Sequence, residues 1–148
     1  MTGLPVVATA CDERCTALSC SDREFTADLL LPVELDRASF TLEFETGPGA
    51  SYLFDCVIAE EARCVSRFSQ SFARTVFPEG LDGPLTLVLL DVGPGSVPSL
   101  TVTVRDDSGF AASASHVPDW ETSYPNGPDC VPACHVAPTP RLELISQG

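Results

Sequence analysis

The residues best suited to chemistry in this chain are its sulfurs. Seven cysteines fall into three groups: Cys11, Cys15 and Cys20 near the start, Cys56 and Cys64 in the middle, Cys130 and Cys134 near the end. His135 follows the last of them inside the stretch YPNGPDCVPACHVAPTP. Three chemistries use such groupings. A zinc ion takes four thiolates in a tetrahedron, and Cys11, Cys15, Cys130 and Cys134 form the candidate set. That choice leaves Cys20, Cys56 and Cys64 without a role. Haem attachment needs two residues between its cysteines, and here Val131, Pro132 and Ala133 intervene. Its axial partners would be drawn from His116 and the sole methionine, Met1. Reactive thiols need a basic setting that stabilises thiolate. Asp129 lies beside this pair, and the nearest Lys or Arg after it is Arg141. Disulfides are the remaining use, and the rest of the sequence favours them.

Other catalytic signals are sparse. The chain has no GxSxG, no HExxH, no phosphate-cradling loop with lysine, and no lysine at all. His116 and His135 are the only imidazoles. A triad through Ser115 or Ser123 has no motif behind it, so a hydrolase stands as a third reading. RDDSGF offers Asp106, Asp107 and Ser108 as hard oxygen ligands for calcium, but lacks the spaced acids of a calcium loop. A tight hairpin turn accounts for it without an ion. Trp120 and Tyr124, in PDWETSY, are aromatics on a loop. They read either as a recognition surface or as a plug over the edge of a sheet, and the plug is favoured.

The elements that must position these groups follow period two, which sends alternate side chains to opposite faces of a strand. Phe40, Leu42 and Phe44 alternate with Thr41, Glu43 and Glu45. Leu100, Val102 and Val104 alternate with Thr101, Thr103 and Arg105. Phe25, Ala27, Leu29 and Leu31 share one face. LTLVLLDV is apolar on both faces, as a central strand requires. Tyr52, Phe54, Cys56 and Ile58 keep the same period, so YLFDCVI and residues 62–68 read as a hairpin turning at AEEA. That hairpin sets Cys56 across from Cys64. RLELI closes a sheet with Leu142 and Leu144 inward. TGPGA, PEGLDGP, VGPGSVP, RDDSGF and YPNGPD punctuate the strands at the spacing of an all-β sandwich. Residues 117–140 read as a long irregular connection that needs tethering.

The bulk properties narrow the partners. The chain has 148 residues, 44% of them hydrophobic, enough for one core. Its formal net charge is −13, and all eight basic residues are arginine. Such a surface repels phosphate backbones, which excludes a nucleic-acid partner. No segment reaches the ~20 apolar residues of a membrane-spanning helix. Cysteine density together with Pro, Gly, Ser and Thr richness indicates an oxidising compartment, extracellular or periplasmic. MTGLPVVATAC is not a complete signal peptide. Cys11 is left over from the pairing of the other six. Its roles are a free thiol, an intermolecular bridge, or a lipid site anchoring the chain to an outer membrane.

The closing segment carries a resemblance. Tyr124, Asn126, Gly127, Pro128, Cys130, Pro132 and Cys134, with the opening pair in CTALSC, resemble a small exported domain of myxobacterial-type lipoproteins and secreted proteins. The resemblance runs from about Cys15 to Leu144, and Cys11 falls outside it. It implies a disulfide-bearing β-sandwich at the cell envelope and no named activity. The expectation is therefore an all-β, immunoglobulin-like antiparallel β-sandwich of seven to eight strands. Residues 1–14 form an extension and 15–148 one domain. Disulfides join Cys56 to Cys64 and link Cys15 and Cys20 to Cys130 and Cys134 in a pairing left open. Functionally the chain reads as a non-catalytic structural or binding module without a cofactor, its partner an unknown protein or a glycan.

Overall fold

Alternation of apolar and polar residues builds nearly everything in the computed structural model, which describes residues 24–47, 50–58, 62–70, 72–77, 84–127 and 133–147. Among the described residues there are twelve strands and no helix. They are β1 (Glu24–Leu30), β2 (Phe40–Gly47), β3 (Ala50–Val57), β4 (Arg63–Ser66), β5 (Ala73–Val76) and β6 (Leu85–Leu90). Then follow β7 (Leu100–Asp106), β8 (Ala111–His116), β9 (Glu121–Ser123), β10 (Cys134–Val136), β11 (Arg141–Glu143) and β12 (Ile145–Ser146). The count exceeds the expected seven to eight because short edge pieces form where the sequence carries too few residues to show a period.

One sheet runs β11-β1-β6-β5 and a second runs β12-β8-β7-β2-β3-β4. The core lies between them. Phe25, Ala27, Leu29, Leu85, Leu87 and Leu89 come from the first sheet. Phe40, Leu42, Phe44, Phe54, Cys56, Val102 and Val104 come from the second. All are buried, in one continuous cluster. The chain is thus a disulfide-bearing β-sandwich. β6 is central, with Val88 buried on the face turned away from that cluster. Burying a Leu or Phe side chain contributes about 1.5–3 kcal/mol, so these inward rows fix the register of each strand.

Two details depart from the expected pattern. β1 pairs β11 in parallel, Leu29 opposite Leu142, whereas every other pairing among the described residues is antiparallel. The chain reaches β11 by a long crossover from the far sheet, so no hairpin dictates direction. The expected irregular stretch 117–140 contains the β9–β10 pair, Cys134 opposite Ser123. From β11 the chain passes through buried Leu144 into β12, moving from the first sheet to the second and tying the two along one side.

The registers bring four features to one end of the sandwich: the β2–β3 turn, the β4–β5 connection, the loop 91–99 and the end of β8. Trp120 and His135 lie against the loop 91–99 at that end. At the opposite end Asp106 ties the β7–β8 hairpin together. Its Oδ1 accepts from the Ser108 amide (2.9 Å) and hydroxyl (2.5 Å) and from the Phe110 amide (3.2 Å). Its Oδ2 accepts from the Asp36 amide at 2.8 Å, joining the β1–β2 loop to the hairpin. Gly109 completes the turn at φ 95°, a conformation glycine adopts without strain. RDDSGF is therefore a hairpin turn whose carboxylate is spent on four hydrogen bonds.

Candidate functional site

The expected sulfur pairing holds where the structure describes it. Cys56 and Cys64 face each other across β3 and β4 with an S–S distance of 2.05 Å. Cys134 is also disulfide-bonded, and its partner lies outside the described residues. Cys11, Cys15, Cys20 and Cys130 lie outside them too, so the expected clamp between the chain's two ends is not described. A disulfide sulfur has no thiolate to give a zinc ion, which removes Cys134 from the four-thiolate alternative. Among the described residues no cluster of three His, Cys, Asp or Glu side chains is placed to hold a metal.

Among the described residues neither histidine is set in a triad. His116 ends β8 opposite Leu100, and the Ser115 hydroxyl meets Thr101 Oγ1 at 3.0 Å. His135 Nδ1 is 3.0 Å from Thr122 Oγ1 across the β9–β10 pair. Its ring lies over Gly93, where an added Cβ would come within 3.3 Å of His135 Cδ2. His135 is thus a packing residue that seats the β9–β10 pair on the loop 91–99.

Trp120 takes the plug role. Its indole N–H donates to the Val97 carbonyl at 2.9 Å, and its ring centroid lies 5.6 Å from that of core Phe25. Tyr124 is 49% exposed and opens the YPNG turn, closed by the Gly127 amide on the Tyr124 carbonyl at 3.1 Å. Pro125 and Gly127 occupy the second and fourth positions that such a turn favours. The two aromatics therefore separate: one anchors the segment and the other faces water.

What Trp120 anchors is the wall of a cleft that the sequence did not reveal. A concavity of about 380 Å³ opens at this end, lined by Thr46, Tyr52, Phe72, Leu90, Asp91, Val92, Ser96 and Val97. Tyr52 and Phe72 form its aromatic floor, with buried Phe44 behind them. Tyr52 stacks on Phe44 at 5.0 Å and meets Phe72 edge-on at 4.8 Å. Offset and edge-to-face pairs of this kind are the arrangements that ring quadrupoles favour. The facing wall is a tight turn in which the Val97 and Ser96 amides donate to the Gly93 carbonyl at 2.8 and 3.1 Å. Ser96 Oγ accepts from the Gly93 amide at 2.9 Å. Asp91, at the rim, has φ 55°, a left-handed conformation that Asp tolerates better than most residues. Tyr52 kept the period of its buried neighbours and read as core. Its partial exposure depends on which loop crosses over it, and no local pattern encodes that.

Compared with protein-family models, with curated proteins and with solved structures, the chain matches none. Its function therefore has to be read from its own geometry.

Proposed function

We propose that this chain is an exported binding module with immunoglobulin-like architecture, whose cleft over Tyr52 and Phe72 receives a small, hydroxyl-rich ligand such as a glycan unit. The cleft carries this reading. Its volume lies in the range of small-ligand sites, with apolar walls and a few polar groups at the rim. Aromatic faces pack against the C–H faces of a sugar, and the Asp91 carboxylate provides a hydroxyl acceptor. A concavity this small suits a monosaccharide-sized group better than a folded protein, whose interface needs about 800 Å² per partner.

The strand order supports the architecture. β5-β6-β1 facing β4-β3-β2-β7-β8 has the arrangement of a variable-type immunoglobulin domain, in which strands D, E and B face C″, C′, C, F and G. β11 occupies the place of the first strand but arrives from the other end of the chain. The disulfide joins neighbours within one sheet rather than bridging two. Two disulfide-bonded sites support an extracellular or periplasmic setting. Among the described residues no helix is long and apolar enough to cross a membrane. A lipid anchor at Cys11, and membership of the myxobacterial-type exported domains, belong to the same proposal.

The test is a screen of immobilised glycans and envelope extracts, followed by titration with Trp120 fluorescence as the readout. Phe72→Ala and Asp91→Asn should each weaken the selected ligand at least tenfold while the far-ultraviolet spectrum is unchanged. Binding indifferent to both substitutions would place the ligand elsewhere and end this reading.

A further inference from the structure

One residue of the cleft breaks the rule of its own strand. Along β2 the inward row is Phe40, Leu42, Phe44 and Thr46 at strict two-residue spacing, all buried. The first three belong to the core. Thr46, only 6% exposed, lines the cleft instead. Valine would have the same shape there and leave no polar atom to satisfy. A buried hydroxyl costs free energy unless it is hydrogen-bonded, and departures from the local rule gather where a protein works.

The Thr46 hydroxyl makes no hydrogen bond to any described residue. It is not sealed away either. Among the described residues, the buried side-chain atom that is both cut off from solvent and without a partner is Arg37 Nε. Thr46 Oγ1 is therefore reached from the cleft that the residue lines.

The backbone fixes Thr46 at this place. The β2–β3 register shifts between Glu45, opposite Ser51, and Gly47, opposite Ala50. Thr46 is thus the extra residue of a β-bulge, and the β2–β7 ladder stops just before it, at Glu45 opposite Thr101. Bulges bend a strand and re-aim a side chain, and they gather beside functional sites. The neighbouring Gly47 has φ 150°, and a Cβ there would come within 3.2 Å of Pro98 Cγ. The loop 91–99 therefore closes directly on the bulge, which fixes Thr46 relative to the wall of Ser96 and Val97.

The other polar groups narrow what this hydroxyl can meet. Ser96 Oγ is spent on Gly93, accepting from its amide at 2.9 Å and donating to its carbonyl at 3.2 Å. Asp91 is the one charged side chain among the described lining residues, and no arginine or histidine stands among them. With a net charge of −13 behind it, the cleft offers an acidic ligand repulsion and no cation to pair with. A threonine hydroxyl both donates and accepts, which matches a sugar hydroxyl or the carbonyl of an acetamido group.

We infer that Thr46 is the specificity-determining residue of the cleft, its hydroxyl bonding one oxygen of a neutral pyranose whose C–H face lies on Tyr52 and Phe72. This rests on the cleft being the binding site. The probes are the methyl glycosides of glucose, galactose, mannose and N-acetylglucosamine, with methyl glucuronide as the acidic counterpart. Binding is followed by Trp120 fluorescence and by amide NMR shifts at Thr46 and Tyr52. At least one neutral glycoside should bind, and at least tenfold more tightly than the glucuronide. Thr46→Val should weaken it about fivefold, the loss of one neutral hydrogen bond. Its Tm should equal or exceed the parent's, because the hydroxyl has no partner within the protein. Thr46→Ser, which keeps the hydroxyl, should restore the affinity. Equal binding by Thr46→Val, weak binding by Thr46→Ser, a lower Tm for Thr46→Val, or a glucuronide that binds as tightly each overturns the inference. If Phe72→Ala weakens a glycoside that Thr46→Val leaves untouched, the Thr46 assignment fails alone. If no neutral glycoside binds while the glycan screen yields a ligand sensitive to Phe72→Ala, the neutral class is wrong and the cleft stands. Indifference to both Phe72→Ala and Asp91→Asn removes the cleft and this inference with it.

Discussion

Removing the Cys56–Cys64 bridge tests how the β3–β4 edge is held. The perturbation is the double substitution Cys56→Ala, Cys64→Ala, compared with the parent under non-reducing conditions so that Cys134 keeps its own disulfide. The two cysteines are 8 residues apart. Closing so short a loop removes about 2.5 kcal/mol of unfolded-chain entropy in the loop-closure model. Cys56 is 2% exposed, and emptying its sulfur site costs about 1 kcal/mol more, comparable with a buried methylene. The sum, about 3.5 kcal/mol, corresponds to a fall in Tm of roughly 7–14 °C for a chain of this size. Circular dichroism and Trp120 fluorescence should both report that fall. Hydrogen exchange adds a local signature. β4 has only four residues, bonded to β3 on one side, so the Arg63 and Val65 amides should lose protection well before the Leu42 or Val102 amides. A Tm change under 2 °C would falsify the reasoning, because the bridge would then constrain nothing in the unfolded chain. A uniform loss of protection would refute the claim that the bridge serves β4 in particular.

Two further outcomes follow from side chains that stand in for backbone. The Ser108 hydroxyl, then the Asp36 amide, hold the Asp106 carboxyl below the ordinary carboxylate range. Its contribution is therefore complete above the unfolded pKa of ~3.9 and is lost as pH falls through the lower folded value. Asp106→Asn should unfold at lower temperature than the parent at pH 7, and the gap should narrow as pH falls below the unfolded ~3.9; a gap independent of pH refutes the assignment. On β5, the outermost described strand of its sheet, the Gln70 carboxamide accepts from the Ala73 amide at 2.9 Å and donates to the Ala73 carbonyl at 3.0 Å, where a neighbouring strand would pair. Gln70→Ala should cost about 1 kcal/mol in urea unfolding and speed exchange at the Ala73 amide. It should also introduce concentration-dependent association in sedimentation, and a variant that stays monomeric shows that Gln70 guards nothing.

Most of the sandwich was legible because burial imposes period two. Phe40, Leu42 and Phe44 sit inward for the reason their spacing advertised, and so do Leu100, Val102 and Val104. The Cys56–Cys64 pairing was legible as well, since Tyr52, Phe54, Cys56 and Ile58 fixed the hairpin's face and the turn fixed its register. RDDSGF read as a turn because Asp and Gly are the residues such a turn requires. What stayed hidden depends on encounters between distant segments. The parallel direction of β11 is set by how the chain returns to β1, and RLELI looks the same in either direction. β9 and β10 have three residues each, too few for a period. The cleft needed the knowledge that Phe72, Tyr52 and the loop 91–99 meet, and nothing local to any of them says so. Nothing in the sequence singles out Gln70, because its role is a contact with the backbone of Ala73.

The disulfide, Gln70 and Trp120 together explain how a small sandwich holds its short edge strands and its loops in place. A four-residue edge strand left to its backbone bonds would fray. The Cys56–Cys64 bridge holds β4 from inside the sandwich. On β5 Gln70 occupies the backbone groups of Ala73, where another strand would otherwise pair. At the end of the sandwich Trp120 does for the loop 91–99 what the bridge does for the edge. It fixes Val97 through one hydrogen bond and packs on Phe25, so the wall facing Tyr52 and Phe72 is held by the core. In both places a covalent or aromatic anchor lies behind the surface and leaves the surface itself open.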